Sequence, residues 1–227
     1  MRTALLVECF QDLPALPDGD FLAGRSAELQ IHLDRFRNRV AKRYSEGTLQ
    51  RLLEHDSSQA RRAALLALGL QGTMVSNAAV AQRLHDDESQ VRRLAQDALW
   101  NIWFRAEGDA NKRELQRLTQ LKESSKSLRG LEALIHKCPE FAEAYNQRAI
   151  VYFRRGEFHK SAADCQRALE RNQFHFGAQC GLAQCYMRMK KPRAALRAFR
   201  LALRINPELD GVAESIRSLE ETLGEGK

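Results

Sequence analysis

Residues 142–173 read AEAYNQRAIVYFRRGEFHKSAADCQRALERNQ, and residues 176–207 read FGAQCGLAQCYMRMKKPRAALRAFRLALRINP. Displaced by 34 positions, the two stretches echo each other: Ala149 recurs as Ala183, Tyr152 as Tyr186, Ala168 as Ala202 and Asn172 as Asn206. Ser161 recurs as another small residue, Ala195. A fixed period of this length implies stacked helix–turn–helix units, each leaning on its neighbours, rather than one globular core. Small residues are needed where two helices of a unit cross closely. Ala149, Ser161 and Ala168 fill those places in the first unit, and Ala183, Ala195 and Ala202 in the second. Larger side chains fill the gaps: Tyr145, Tyr152 and Phe158, then Tyr186 and Phe199. Gly156 falls where one helix turns into the next, a position that suits a left-handed residue.

These residues resemble tetratricopeptide repeats. The resemblance implies an interaction module whose first helices line a groove for an extended peptide or a helix. Carried over by position, the groove set is Glu143, Asn146, Ile150, Phe153 and Arg154 from the first unit, then Gly177, Cys180, Gln184, Met187 and Arg188 from the second. Ile150, Phe153 and Met187 would give apolar contact. Asn146 and Gln184 would bond a peptide backbone, and Arg154 and Arg188 would hold an acid. The Lys/Asn carboxylate clamp of some family members is absent, because Asn146 and Ile150 hold those places. A chaperone's terminal carboxylate is therefore not the expected partner. The pattern departs from the family at Arg148, where Leu is usual, at Cys165, where an aromatic is usual, and at Gln173, Gln179 and Pro192. These departures imply loosened packing.

Upstream, helical spacing over Asn111–Leu121 and Ser127–Lys137 implies a decayed unit joined by a polar turn at Lys122–Lys126. Downstream, Val212, Ile216, Leu219 and Leu223 form the apolar stripe of a helix over about Leu209–Leu223. Its other face carries Glu214, Glu220 and Glu221, as suits a solubilising cap.

The first half of the chain has a different period, 31 residues. HDSSQARR at 55–62 is matched by DDESQVRR at 86–93, and Leu53, Ala64 and Leu68 pair with Leu84, Ala95 and Leu99. This half, over about residues 26–106, resembles HEAT repeats of the short bacterial kind. Their hallmark is a polar Asp-containing turn before a helix opening with Val-Arg. Ser58 and Ser89 are the expected N-caps, and Gly69 and Gly72 the expected turn after the first unit's second helix. One Arg of each Arg61-Arg62 and Arg92-Arg93 pair is expected to tie a turn Asp. A long amphipathic helix is expected over about Ser26–Tyr44, with Leu29, Leu33, Phe36 and Val40 inward. Pro14 and Pro17 exclude a long helix before residue 23.

The expected fold is thus all-α, an α-solenoid of stacked antiparallel helix pairs. It divides where the period changes, into 1–108 (HEAT-like) and 109–227 (tetratricopeptide-like, with a capping helix). The sequence holds no G-x-S-x-G, P-loop, H-E-x-x-H or G-x-G-x-x-G motif. No catalytic residue, cofactor or metal is therefore expected. The five cysteines form no C-x-x-C pair, which favours reduced thiols in the cytoplasm. Ala4–Val7 is too short for a membrane span or a signal core. The net charge of +7 is concentrated in Arg188–Arg204, where seven cations and no acid occur. Arg193, Arg197, Arg200 and Arg204 follow helical spacing, which sets a basic surface suited to an anionic partner. No aromatics interleave as they would on a base-stacking surface. The leading reading is an interaction scaffold for a protein or peptide, with acidic chemistry favoured. The competing readings are a nucleic-acid binder resembling HEAT-like DNA glycosylases and a lyase or chaperone-like protein resembling HEAT-type bilin lyases.

Overall fold

A computed structural model describes residues 4–14 and 27–224. Ser26, Pro17 and the last three residues, about which the sequence raises expectations, lie outside the described residues. All described regular structure is helical, and no strand occurs among the described residues. The chain divides into two compact units, Met1–Ala106 and Glu107–Lys227.

The N-terminal unit contains α1 (Ala4–Gln11), α2 (Ala27–Ala41), α3 (Glu46–Leu52), α4 (Ser58–Gln71), α5 (Asn77–Gln82) and α6 (Ser89–Arg105), with short 3-10 turns at Met74–Ser76 and Arg83–His85. Leu29, Leu33, Phe36 and Val40 of α2 are buried as their spacing requires. The helix ends at Ala41, one residue past its last apolar position and short of the expected Tyr44. Helix α4 is almost wholly buried, from Ala60 to Gly69, and α6 lies against it. At their crossing a Cβ on Gly69 would stand 3.1 Å from the Ala98 Cα. Gly69 is therefore a close-packing residue within α4, not part of a turn. The turn begins at Gly72, where Arg105 donates to the Gly69 and Gly72 carbonyls at 3.1 and 2.7 Å. Those bonds satisfy carbonyls that the end of α4 leaves open. Ser58 and Ser89 prove to be the first helical residues. The capping positions belong to Ser57 and Glu88, neither of which makes a side-chain cap bond.

The 31-residue echo is an echo of geometry. Arg61 donates to the carbonyls of His55 and Asp56, both at 3.0 Å. Arg92 donates to those of Asp86 and Asp87, at 2.8 and 2.9 Å. The turn residues repeat too: the Ser57 N–H donates to His55 Nδ1, and the Glu88 N–H to Asp86 Oδ1. Arg61 also reaches across to the next turn, donating to Asp86 Oδ1 at 2.7 Å and Asp87 Oδ1 at 3.0 Å. One guanidinium thus pins its own turn and locks the following repeat.

The C-terminal unit contains α7 (Gly108–Thr119), α8 (Ser124–Lys137), α9 (Ala142–Arg154), α10 (Phe158–Arg171), α11 (Phe176–Arg188), α12 (Pro192–Ile205) and α13 (Val212–Leu223). Successive helices pack pairwise, with α9 on α10, α10 on α11, α11 on α12 and α12 on α13. The 34-residue echo is also built from repeated hydrogen bonds. The Glu157 N–H reaches back to the Tyr152 carbonyl at 3.0 Å, and the Lys191 N–H to the Tyr186 carbonyl at 2.9 Å. Both turns put one residue in the left-handed region, Gly156 at φ 76° and Lys190 at φ 57°. Gly adopts that region freely, and Lys does so only under constraint. The ends of α10 and α12 match as well. Asn172 Oδ1 accepts from the Phe174 N–H at 3.2 Å, and Asn206 Oδ1 from the Glu208 N–H at 3.1 Å. Each Asn side chain mimics a backbone turn, which explains why Asn belongs to the period.

Candidate functional site

Within the C-terminal unit, α9, α11, α12 and the start of α13 enclose a recess of about 600 Å³. Its apolar wall comes from Phe153, Met187, Phe199 and Val212, and its polar groups include Gln184, Arg188, Asp210 and Glu214. Helix α13 can stand there because Val212 and Leu219 pack on Ala183, Leu196 and Phe199, while Gly211 opens the helix in the left-handed region at φ 70°.

Four of the residues assigned to the groove from sequence, Phe153, Gln184, Met187 and Arg188, line this recess. Met187 is 45% exposed although it is apolar. Arg188 is held in place: its guanidinium lies 4.8 Å from the Phe158 ring centroid and 6.0 Å from that of Phe153. The two rings themselves meet edge to face at 5.3 Å. A cation over aromatic rings is attracted by their negative faces, so Arg188 is preorganised at the edge of the recess.

The remaining assigned residues are placed elsewhere. Arg154 is exposed but is not among the lining residues, and Ile150 is half-buried. Cys180 packs against the core around Ala183 and Leu196, and burial pushes its thiol up to about 11. Glu143 and Asn146 are buried in a polar network. Glu143 Oε2 lies 2.7 Å from His175 Nε2, and both side chains are fully buried. Gln147 Nε2 donates to Glu143 Oε1 at 2.6 Å, and Asn146 Nδ2 donates at 3.3 Å. The N–H of Ala178 donates to His175 Nδ1 at 3.1 Å. That bond leaves the imidazole proton on Nε2, facing the carboxylate. His175 therefore caps α11 with one nitrogen and holds α9 with the other. Glu143 and Asn146 spend their polar atoms inside the protein.

Arg148 is a departure from the repeat pattern that the structure explains. Its Nε and Nη2 bond Asp164 at 2.6 and 2.9 Å in a two-pronged pair. The Asp164 side chain is 2% exposed, and Arg167 adds a third bond at 3.0 Å. The expected loosening at Arg148 is absent, because Asp164 on the facing helix completes the site. Cys165, in the place of the usual aromatic, sits with Cys185 in the core between α9, α10 and α11. Its thiol is pushed up by its hydrogen bond to Cys185 and by burial.

The α12 residues Arg193, Arg197, Arg200 and Arg204 are all exposed on the helix face away from the core. No group of three His, Cys, Asp or Glu side chains that could hold a metal occurs among the described residues. No described helix is long and apolar enough to cross a membrane.

Sequence comparison places two tetratricopeptide repeats in the chain, at residues 142–175 and 176–209. A TPR repeat-containing protein of Rhizobium etli is 31% identical over 93 residues, which are 41% of this chain and 46% of that protein. The chain thus spans about half the length of that relative. Among solved structures, the first TPR of Spaghetti (RPAP3) bound to an HSP90 peptide is similar with a TM-score of 0.48 and 16% identity, over 51% of this chain and 91% of that one. MamA is similar with a TM-score of 0.46 and 20% identity, over 63% of this chain and 88% of that one.

Proposed function

We propose that the chain is a non-catalytic interaction scaffold whose C-terminal unit captures a peptide or helix in the recess between α9, α11 and α13. The observation that carries this reading is the recess itself: an exposed Met187 and a half-buried Phe153 lie beside Gln184 and the ring-held Arg188. An apolar surface with a few convergent polar groups is what a peptide side chain and its flanking amides need. The repeat geometry supports the same reading, since repeats of this kind serve mainly to present surface. In the N-terminal unit, the Arg61 and Arg92 geometry supports HEAT-like repeats, with the boundary near residue 108 separating two kinds of repeat.

A peptide library selected on the immobilised protein provides the ligand for the test. A labelled Met187 methyl group then reports binding by NMR. The selected peptides are expected to shift the Met187 signal, and Phe153→Ala is expected to weaken them by about tenfold or more, as loss of a buried aromatic anchor does. Selected peptides that leave Met187 unmoved, and bind Phe153→Ala unchanged, would place the binding surface outside the recess.

A further inference from the structure

On α12 a second surface, none of whose residues lines the recess, stands out by charge. At about 100° per residue, Arg193, Arg197, Arg200 and Arg204 fall within an arc of about 60°, in a row about 16 Å long. All four are exposed, and Lys190 and Lys191 extend the row into the preceding turn. Leu201, at 46% exposure, borders the arginines as an unburied apolar side chain. Among the described residues no acidic side chain pairs with Lys190, Lys191, Arg193 or Arg197. The first turn of α12 holds no acid, and Lys191 at its N-cap provides no side-chain cap bond. Cations at a helix N-terminus oppose the macrodipole, so Lys190, Lys191 and Arg193 work against the helix they precede and open.

The chain itself shows how the row is satisfied. On one edge α13 brings Glu220 to within 2.7 Å of Arg200. An acidic amphipathic helix therefore already lies along one side of the row, with its apolar residues on the core and a glutamate on an arginine. The opposite edge offers Arg193, Arg197 and Leu201 to a partner of the same kind. We propose that this edge of α12 docks an acidic amphipathic helix of a partner protein. Its carboxylates, one helical turn apart, would meet Arg193 and Arg197, and its apolar residue would cover Leu201. A duplex nucleic acid fits less well. It spreads its phosphates across grooves about 6 and 12 Å wide, whereas this strip is one helix wide and bounded by Glu220. Leu201 would also gain nothing from phosphates, while Arg and apolar contacts together typify protein interfaces.

The test measures anisotropy of two labelled probes with the full chain: a synthetic helix carrying Glu at i and i+4 beside Leu, and a short DNA duplex. The acidic helix is expected to bind more tightly than the duplex. Arg193→Glu with Arg197→Glu should weaken it by about a hundredfold, because like charges then face each other across the contact. Leu201→Ser should weaken the helix several-fold and leave any duplex binding unchanged. Circular dichroism on each variant confirms that the exposed substitutions preserve the fold. The proposal fails if the duplex binds more tightly, if Leu201→Ser is silent, or if the double charge reversal leaves affinity unchanged. Phe153→Ala, which tests the recess, should not affect the acidic helix, so the two surfaces are judged separately.

Discussion

The two units lock neighbouring helix pairs together by different means. In the N-terminal unit the lock lies in the turns. Arg61 bonds two carbonyls of its own turn and Asp86 of the next. In the C-terminal unit the locks lie between helices: Arg148 with Asp164 inside a repeat, and Glu143 with His175 across the boundary between repeats. The bonds to the arginine's own turn reuse backbone carbonyls that exist whatever the sequence, so they need one arginine and recur with the period at Arg92, whereas the link to the next repeat needs the Asp86 carboxylate. Helix locks need two matched side chains, so each is peculiar to its repeat. Arg148 and Asp164 have Leu182 and Ala198 at the corresponding positions 34 residues on.

That contrast yields its largest expected effect at Asp164. Asp164→Ala leaves the buried Arg148 guanidinium without its partner, which should destabilise the C-terminal unit by about 3–5 kcal/mol. Replacing both partners, Arg148→Leu with Asp164→Leu, removes the stranded charge and should recover most of that loss. Chemical denaturation followed by circular dichroism measures both. If the double variant is as unstable as the single one, the pair does more than neutralise itself.

The turn lock predicts a pH effect of intermediate size. Burial alone would raise the Asp86 carboxyl, but the hydrogen bonds from Arg61 and the Glu88 backbone override it and hold it below the ordinary carboxylate value. A group depressed in the folded state contributes stability that is complete above its unfolded value, near 3.9, and is lost as pH falls through the folded value. The N-terminal unit should therefore weaken on acidification, and Asp86→Asn should remove part of that dependence. The chain's two tryptophans, Trp100 and Trp103, both lie in α6, so their fluorescence reports this unit. Equal acid sensitivity in the protein and in Asp86→Asn would mean that the lock is not set by this carboxylate.

Both periods were legible in the sequence because small residues and turn residues must recur wherever helices cross and chains reverse. Four residues of the recess were legible for the same reason, since first-helix positions keep a constant facing from repeat to repeat. The particular locks were not. His175 looks like one of six scattered histidines, and nothing in its neighbourhood marks Glu143 as its partner 32 positions away. Arg148 in a Leu position reads as a packing fault until Asp164 is seen opposite. The contribution of α13 to the recess was legible only as one of two readings, a C-terminal helix that fills the groove or a plain solvent-facing cap, and it is the packing of Val212 on the α12 core that places Asp210 and Glu214 in the recess lining.

The smallest effects compare how closely the helices approach in each unit. Gly69 in α4 and Gly181 in α11 each face a neighbour 3.1 Å from where a Cβ would stand. For Gly69 that neighbour is the Cα of Ala98, with its Cβ at 3.3 Å. Backbone cannot yield without moving α6, so Gly69→Ala should cost about 1–3 kcal/mol through overpacking. For Gly181 the neighbour is the Cys165 sulfur, and no other atom outside its own helix lies within 4 Å. A sulfur on a single rotatable bond can retreat by a few tenths of an ångström. Alanine also gains up to about 1 kcal/mol of helix propensity over glycine. The two terms should nearly cancel, leaving Gly181→Ala within about 0.5 kcal/mol of the unsubstituted protein, the range of substitutions that disturb no special feature. Parallel denaturant midpoints for the two variants decide the matter, with tryptophan fluorescence following the first and circular dichroism the second. If Gly181→Ala is as costly as Gly69→Ala, Cys165 is held as rigidly as backbone. Its hydrogen bond to Cys185 would then be the cause, and Cys185→Ala should restore the tolerance.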